Sequence, residues 1–178
     1  MFKNAYFAGG CFWCTESIFQ RIKGVSQVIP GYMGGFIKNP DYREVCTGNT
    51  GHTETIKITY DKNIVSYAEL LEIFFSIHDP TTPNRQGNDT GSQYRSAIFF
   101  ENQIERIQIT ECISLFEKNK IYNESFVTEI NEKLEFYEAE IEHHDYYNQN
   151  KSQPYCQHII RPKIKKFNSI FDKYSVEK

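Results

Sequence analysis

Short apolar or alternating segments along the chain predict the strands of a sheet. Residues 4–8 are apolar and aromatic, and residues 55–60 alternate between apolar and polar side chains. A period of two places the apolar side chains on one face of a sheet. Shorter segments of the same kind, over 25–28, 95–100 and 126–130, predict three further strands.

Three segments have a helical period instead, over about 12–23, 66–77 and 104–118. The first has apolar side chains three and four positions apart, and Gly24 provides a stop signal. The second begins with Ser66 and Glu69, the pattern of a capping box. In the third helix Ile107, Leu115 and the neighbouring apolar residues are expected to face the core, together with Cys112.

Two long segments, 30–52 and 78–94, follow neither period. Loops of this length inside a compact domain are usually functional or disordered. The first contains aromatic residues and Cys46, which is expected to be buried. We therefore predict ordered loops that lie against a functional site.

The order of these elements predicts an α+β fold. The spacing suits a two-layer α/β sandwich, in which a mixed sheet with a ferredoxin-like split β-α-β core carries helices and gathers both long loops at one end. We expect a single domain over residues 1–178, with a flexible polar tail from about 140 to 178 that has an amphipathic end.

The charge balance excludes several classes of partner. Twenty basic and 23 acidic residues give a net charge of −3, which provides no basic surface for nucleic acid or an anionic membrane. The apolar runs are too short for a membrane span, and the N-terminal run is too short for a signal peptide.

Five widely spaced cysteines indicate a cytoplasmic protein with reduced thiols, in which a disulfide is transient and catalytic.

Cys11 is the leading candidate nucleophile. It follows Gly9 and Gly10 and opens the first predicted helix, beside Phe12 and Trp13. Unpaired N–H groups and the helix dipole at that position favour a thiolate, which is the reactive form. An isolated cysteine is more often a packing residue, but the glycines, the helix start and the aromatic neighbours together favour catalysis.

Two other cysteines have competing interpretations. Cys14 completes a C-x-x-C pair with Cys11, a spacing found in thioredoxin-like redox motifs, or else it is a helix residue that faces the hydrophobic core. Cys156 lies in the polar tail, where it is either a mobile thiol that resolves an oxidised cysteine or an idle surface thiol. His143, His144 and His158 do not combine with cysteines at zinc-ligand spacing, so no metal site is predicted.

Polar residues of the two loops and the strand between them are further candidates. Glu54 is a general acid if it is buried, or an exposed residue at the entry of a strand. Asp89 lies in a turn-forming sequence, and Tyr42 and Tyr94 are aromatic residues with a hydroxyl donor. Taken singly, these residues are as well explained by turns and packing.

Three blocks of sequence together resemble the A-type peptide methionine sulfoxide reductase family. They are Gly-Cys-Phe-Trp at 10–13, Tyr-Arg-Glu-Val-Cys at 42–46 with Gly-His-Thr-Glu at 51–54, and the segment 86–96 that begins Gln-Gly-Asn-Asp. The resemblance extends in order from about residue 5 to 160, and three blocks in the right order are highly specific.

The resemblance implies a reaction and a role for each residue. Cys11 attacks the sulfoxide sulfur, Glu54 protonates the sulfoxide oxygen, and Tyr42 and Tyr94 donate hydrogen bonds to it. The remaining expected site residues are Phe12 and Trp13, which line the pocket for the substrate methyl group, and Asp89, which organises the site. Cys156 then forms a disulfide with the Cys11 sulfenic acid.

The family also implies substrates and partners. The substrates are the S epimer of methionine sulfoxide, free or in oxidised proteins, and the reductant is thioredoxin. No metal or organic cofactor is needed, and the expected enzyme is a monomer that repairs proteins after oxidative stress.

Cys14 departs from the pattern, because family members commonly have glycine or another small residue there. A Cys11–Cys14 disulfide therefore competes with Cys11–Cys156, although closing that ring strains the first turn of the helix. A general thiol–disulfide oxidoreductase, which would need neither Glu54 nor the Tyr42 and Tyr94 pair, remains an alternative. So does a binding module for methionine sulfoxide or an apolar peptide, with Phe12 and Trp13 as its platform.

Overall fold

A mixed six-stranded sheet is the framework of the protein, whose computed structural model describes residues 1–176. Its strands are β1 (Phe2–Ala8), β2 (Val25–Met33), β3 (Thr53–Asp61), β6 (Ala97–Phe100), β7 (Glu129–Glu132) and β8 (Tyr137–Glu138). They lie in the order β7-β6-β1-β3-β2-β8, and only the β6–β7 pair is parallel. β4 (Arg85–Gln86) and β5 (Asp89–Thr90) form a separate hairpin. The α+β prediction is confirmed.

The helices are α1 (Phe12–Phe19), α2 (Tyr42–Cys46), α3 (Tyr67–Ile77), α4 (Gln103–Lys118), α5 (Tyr146–Gln149) and α6 (Arg161–Ile170). The capping box predicted for α3 is confirmed. The Ser66 hydroxyl accepts from the Glu69 backbone N–H at 3.2 Å, and the Glu69 carboxylate accepts from the Ser66 N–H at 2.8 Å. Within residues 1–176 no helix is both long enough and apolar enough to cross a membrane.

Several predicted boundaries are wrong. The predicted loop over 30–52 contains the end of β2 and all of α2, which is too short to show a period and is recognisable only by its Asp41–Glu44 capping box. α1 ends at Phe19 because the next turn tightens, with backbone bonds from Arg21 to Ile18 and from Ile22 to Phe19. The last predicted strand lies three residues later, at Glu129–Glu132.

α3 packs its apolar face into the hydrophobic core. Leu70, Leu71, Ile73 and Phe74 are fully buried, and the Phe74 ring lies 4.9 Å from that of Phe7 in β1. In α4 the prediction is only partly right. Phe116 is buried and Cys112 is half-buried, but Ile107 and Leu115 are more than half exposed, because α4 packs through the stripe that contains Glu105, Ile109, Cys112 and Phe116.

The C-terminal segment differs most from its prediction. Where a flexible tail is expected, a π-helical turn (Cys156–Ile160) continues into α6, and α5 and α6 pack against α1. Ile160, Ile164, Phe167 and Phe171 recur at helical spacing and are buried, which explains the docking. The division into one domain and a tail from about residue 140 stays a prediction.

Candidate active site

The Cys11 thiol lies where the chain passes from β1 into α1. Gly10 takes a φ of 83°, a left-handed conformation that suits glycine, and a Cβ there would lie 2.6 Å from the Gln86 side chain. Cys11 is the N-cap residue of α1, with extended φ and ψ of −60° and 126°, and only 8% of it is exposed. The predicted sequence of strand, glycine turn and helix is confirmed.

Glu54, in strand β3 next to β1, accepts a hydrogen bond from a backbone N–H at the N-terminus of α1. The Cys11 side chain makes no capping hydrogen bond, but the Phe12 backbone N–H donates to Glu54 Oε2 at 2.9 Å. Glu54 is 2% exposed, and burial raises its pKa to about 8 even though the bond from Phe12 opposes the shift. At neutral pH the buried group is therefore mainly a neutral carboxylic acid that can donate a proton.

The two thiols of α1 share a hydrogen bond and differ in acidity. Burial raises the pKa of Cys11 well above its usual value, and the bond to Cys14 and the charge of Glu54 act in the same direction. The pKa of Cys14 is lowered to about 7, chiefly by that same hydrogen bond from Cys11. Burial therefore acts against the Cys11 thiolate that the helix start was expected to favour, and the hydrogen bond from the Trp13 backbone N–H, which lowers the Cys11 pKa, offsets only part of that effect.

Tyr42 and Tyr94 lie on separate segments, and the charge of Glu54 acts on both phenols. Tyr42 is the first residue of α2, and Tyr94 ends a short 3₁₀ turn whose backbone carbonyl accepts from the Gly10 N–H at 3.3 Å. Burial raises the pKa of both phenols and the charge of Glu54 adds to the shift, so both hydroxyls remain donors. Cys46, which bonds the Tyr42 hydroxyl, is exposed, contrary to expectation.

Aromatic rings surround the first turn of α1. Phe12 is fully buried and packs against Tyr32 and Tyr42, with ring centroids 5.7 and 6.5 Å apart. Trp13 is half-buried and stacks on Tyr146 at 3.7 Å, while its indole N–H donates to His143 Nδ1 at 3.1 Å. Trp13 therefore borders the accessible part of the site, and Phe12 forms its floor.

Asp89 faces the C-terminal segment. Its Oδ2 accepts from the Tyr155 hydroxyl at 2.7 Å, and that hydroxyl lies 3.6 Å from Cys14 Sγ. The adjacent residue, Cys156, is fully buried as the first residue of the π-helical turn. Burial raises the pKa of Cys156, and the charge of Cys14 contributes to that shift. The predicted resolving thiol is thus close to the site but packed.

Four residues near the site were missed by the sequence analysis. Tyr146 and Tyr155 contact the start of α1 as described, and His143 bonds Trp13. Glu140 accepts from the Tyr32 hydroxyl and from the Tyr42 backbone N–H, both at 3.1 Å. All four follow the last strand, and the residues that they contact in α1, β2 and α2 lie about a hundred or more positions away. Tyr155 was signalled only by its neighbour Cys156, and His143 was considered only as a metal ligand.

Glu140, Glu142 and His143 place one potential metal-ligand atom each within 4.8 Å of one another. Glu140 already accepts two hydrogen bonds, and His143 uses Nδ1 to accept from Trp13. These groups hold the aromatic residues of the site together, and we assign them no role in metal binding.

Comparisons with known proteins agree on one family. A family model described as peptide methionine sulfoxide reductase matches residues 3–175. Peptide methionine sulfoxide reductase MsrA of Sulfolobus acidocaldarius is 53% identical over 173 residues, which is 97% of this chain and 97% of that protein.

Two solved proteins share the fold. The structure of methionine sulfoxide reductase A of Corynebacterium diphtheriae has a TM-score of 0.77 and 36% identity, covering 88% of this chain and 78% of that one. Reduced Mxr1 from Saccharomyces cerevisiae has a TM-score of 0.79 and 30% identity over 87% of this chain and 89% of that one. Mxr1 has also been solved in complex with Trx2, a structure that is similar in fold at 22% identity and a TM-score of 0.56.

Proposed function

Because this chain belongs to the peptide methionine sulfoxide reductase family, we propose that it reduces the S epimer of methionine sulfoxide, free or in oxidised proteins, through Cys11. Membership of the family establishes sulfoxide reduction as the activity. The preference for the S epimer, the residue roles and the recycling route are our proposals. The observation that carries them is the buried, largely neutral Glu54 carboxyl beside the Cys11 turn.

The reaction needs a proton donor and a nucleophile on the same sulfoxide group. Negative charge lies on the sulfoxide oxygen, so donors that converge on that oxygen stabilise the transition state. We assign the proton to Glu54 and hydrogen bonds to Tyr42 and Tyr94. As Cys11 attacks the sulfur, its own proton passes to the carboxylate that Glu54 has become. The products are methionine and a Cys11 sulfenic acid, and the oxygen is conserved.

The aromatic side chains next to the Cys11 thiol favour one epimer of the sulfoxide substrate. Phe12 and Trp13 form an apolar surface beside the thiol, which suits the substrate methyl group. With the methyl group and the oxygen both fixed, only one configuration at sulfur presents its free face to Cys11. Asp89 acts through Tyr155 and the neighbouring Cys14 instead of through the substrate.

Recycling is assigned to Cys156 and thioredoxin. We propose that turnover passes through a Cys11–Cys156 disulfide, which thioredoxin reduces. Support comes from Tyr155, which brings the adjacent Cys156 segment to the site, and from the yeast relative solved in complex with Trx2. A monomeric state and a cytoplasmic location stay predictions; the latter rests on cysteine usage.

The decisive experiment measures methionine formed from the separate S and R epimers with dithiothreitol as reductant. We expect product from the S epimer alone, and none from either epimer in Cys11→Ser. Absence of product from the S epimer in the unaltered protein would refute the proposal. Equal rates with both epimers would refute the role of the aromatic surface, and full activity of Cys11→Ser would indicate another nucleophile.

A further inference from the structure

We propose that Cys14 is the first thiol to condense with oxidised Cys11, forming a Cys11–Cys14 disulfide that Cys156 then opens. The inference rests on the proposed function, because it concerns the fate of the sulfenic acid that sulfoxide reduction leaves on Cys11. It assigns a catalytic role to a cysteine that otherwise looks like a core residue of α1.

Cys14 is already in contact with the reacting sulfur. The Cys11 and Cys14 side chains are hydrogen-bonded, and the Cys14 backbone N–H donates to the Cys11 carbonyl at 3.0 Å. A group held in contact reacts ahead of one that must first be brought there. The expected ring strain is relieved because Cys11 is the N-cap residue, with extended backbone angles that lie outside the helix.

Cys156 starts from a less favourable position. It is fully buried in the π-helical turn, and its segment is tied down by the buried Ile160 and by the bond from Tyr155 to Asp89. No hydrogen bond joins Cys156 to Cys11 within the described residues 1–176. To reach Cys11 the turn has to open, whereas Cys14 needs only a side-chain rotation.

Cys14 also has suitable reactivity. The best attacking thiol has a pKa near the ambient pH, and Cys14, with a pKa of about 7, meets that condition. The hydrogen bond from Cys11 is the main cause of the lowered pKa, and the charge of Lys163 and the Tyr155 hydroxyl act in the same direction. A low pKa also makes Cys14 a good leaving group.

Two balanced steps follow. In the first, the Cys14 sulfur attacks the sulfenic sulfur of Cys11, the S–O bond breaks, and the hydroxyl leaves as water with the Cys14 thiol proton. In the second, the Cys156 thiolate attacks the Cys11 sulfur, and Cys14 leaves as a thiolate that takes up the proton lost by Cys156. The result is the Cys11–Cys156 disulfide, with Cys14 again reduced and no other oxidant required.

The test traps the first step in Cys156→Ser. The variant receives one equivalent of methionine S-sulfoxide without reductant, in the presence of dimedone as a trap for sulfenic acid. Trypsin releases residues 4–21 as one peptide that contains both Cys11 and Cys14. We expect this peptide to lack two hydrogens and to carry no dimedone. A dimedone adduct on Cys11 with a free Cys14 thiol would overturn the proposal.

Cys14→Ser provides the converse measurement, and Cys112→Ser is a matched control on α4. In Cys14→Ser we expect several-fold more dimedone on Cys11 during the first turnover than in the unaltered protein, because only Cys156 remains to remove the sulfenic acid. Cys112→Ser should match the unaltered protein. Equal amounts of dimedone on Cys11 in all three proteins would contradict the relay, which is the transfer of the disulfide from Cys11–Cys14 to Cys11–Cys156.

The same samples separate the two proposals. Methionine is quantified in each, and its absence counts against the reductase function itself. Methionine formed while Cys14 stays reduced counts against the relay alone.

Discussion

The catalytic half of the site, formed by Cys11 and Glu54, and the recycling half, the segment that carries Cys156, are attached to the fold in different ways. Cys11 and Glu54 lie at the ends of β1 and β3, neighbouring strands joined by a backbone ladder from Phe2 to Phe7. The segment that carries Cys156 is held near the site mainly by side chains: Tyr155 on Asp89, Trp13 on Tyr146, and the Asp145 N–H donating to Glu16 at 2.8 Å.

This difference matches the work of each half. Proton transfer and sulfur attack need fixed geometry, which a sheet provides at low cost because its hydrogen bonds are already made. A resolving thiol has to move, and local contacts at a helix end open with less free energy than a sheet core does. We therefore expect changes in the sheet-borne half to alter the chemical step and changes in the C-terminal segment to alter recycling.

The largest expected effect is the loss of continuous turnover in Cys156→Ser. With thioredoxin as reductant, the variant should form about one methionine per enzyme, because reduction of the sulfoxide needs only Cys11 and its acid. Rapid-quench measurement of the first turnover and of the steady state separates the two phases. A slowed first turnover would break the comparison, since Cys156 would then take part in the chemistry.

Glu54→Gln should slow the first turnover by about 10²–10⁴-fold, the usual contribution of a general acid. Glutamine keeps an oxygen to accept from the Phe12 N–H, so the helix start is preserved while the proton is lost. Glu16→Gln is the matched control. It replaces a second buried carboxyl, whose pKa burial raises to about 7, with a residue that can still accept from the Asp145 N–H.

In Glu16→Gln the first turnover should keep its rate, because Glu16 anchors the C-terminal segment. A similar loss in both variants would mean that any buried carboxyl near α1 stabilises the site, and the assignment of Glu54 as the acid would fail.

The next largest effect is expected in the pH dependence of the first turnover. Glu54 has a pKa of about 8, so the proton it donates is present below that pH and is lost as the pH rises through it. The rate constant kcat/KM should fall by about tenfold per pH unit above about 8. This alkaline limb should vanish from the residual activity of Glu54→Gln; its persistence there would assign the limb to another group.

The smallest effect is expected for Tyr155→Phe, which leaves Asp89 without its hydroxyl donor. Loss of one partly buried hydrogen bond destabilises a protein by about 1 kcal/mol, which lowers the Tm of a chain of this size by about 2–4 °C. Tyr137→Phe, whose hydroxyl bonds the exposed Glu135, should change Tm by less. Equal shifts would show that the Tyr155 bond does not hold the segment.

The sequence by itself determined the strands with strict alternation, the capped helix α3 and the glycine turn that places Cys11 at a helix start. These features are local, since each depends on side chains within a few positions of one another. The order of three motif blocks likewise identified the family before any coordinates, and with it the fold and the activity.

Only the tertiary structure decided the state of the thiols and the acid. A pKa depends on burial and on charges that come from distant parts of the chain, so the neutral Glu54, the buried Cys11 thiol and the acidic Cys14 cannot be deduced from local sequence. The same holds for the C-terminal segment, whose polar composition suggested mobility. Its apolar stripe finds a partner only when α1 is in place, and that docking brings Tyr155 and Cys156 to the site.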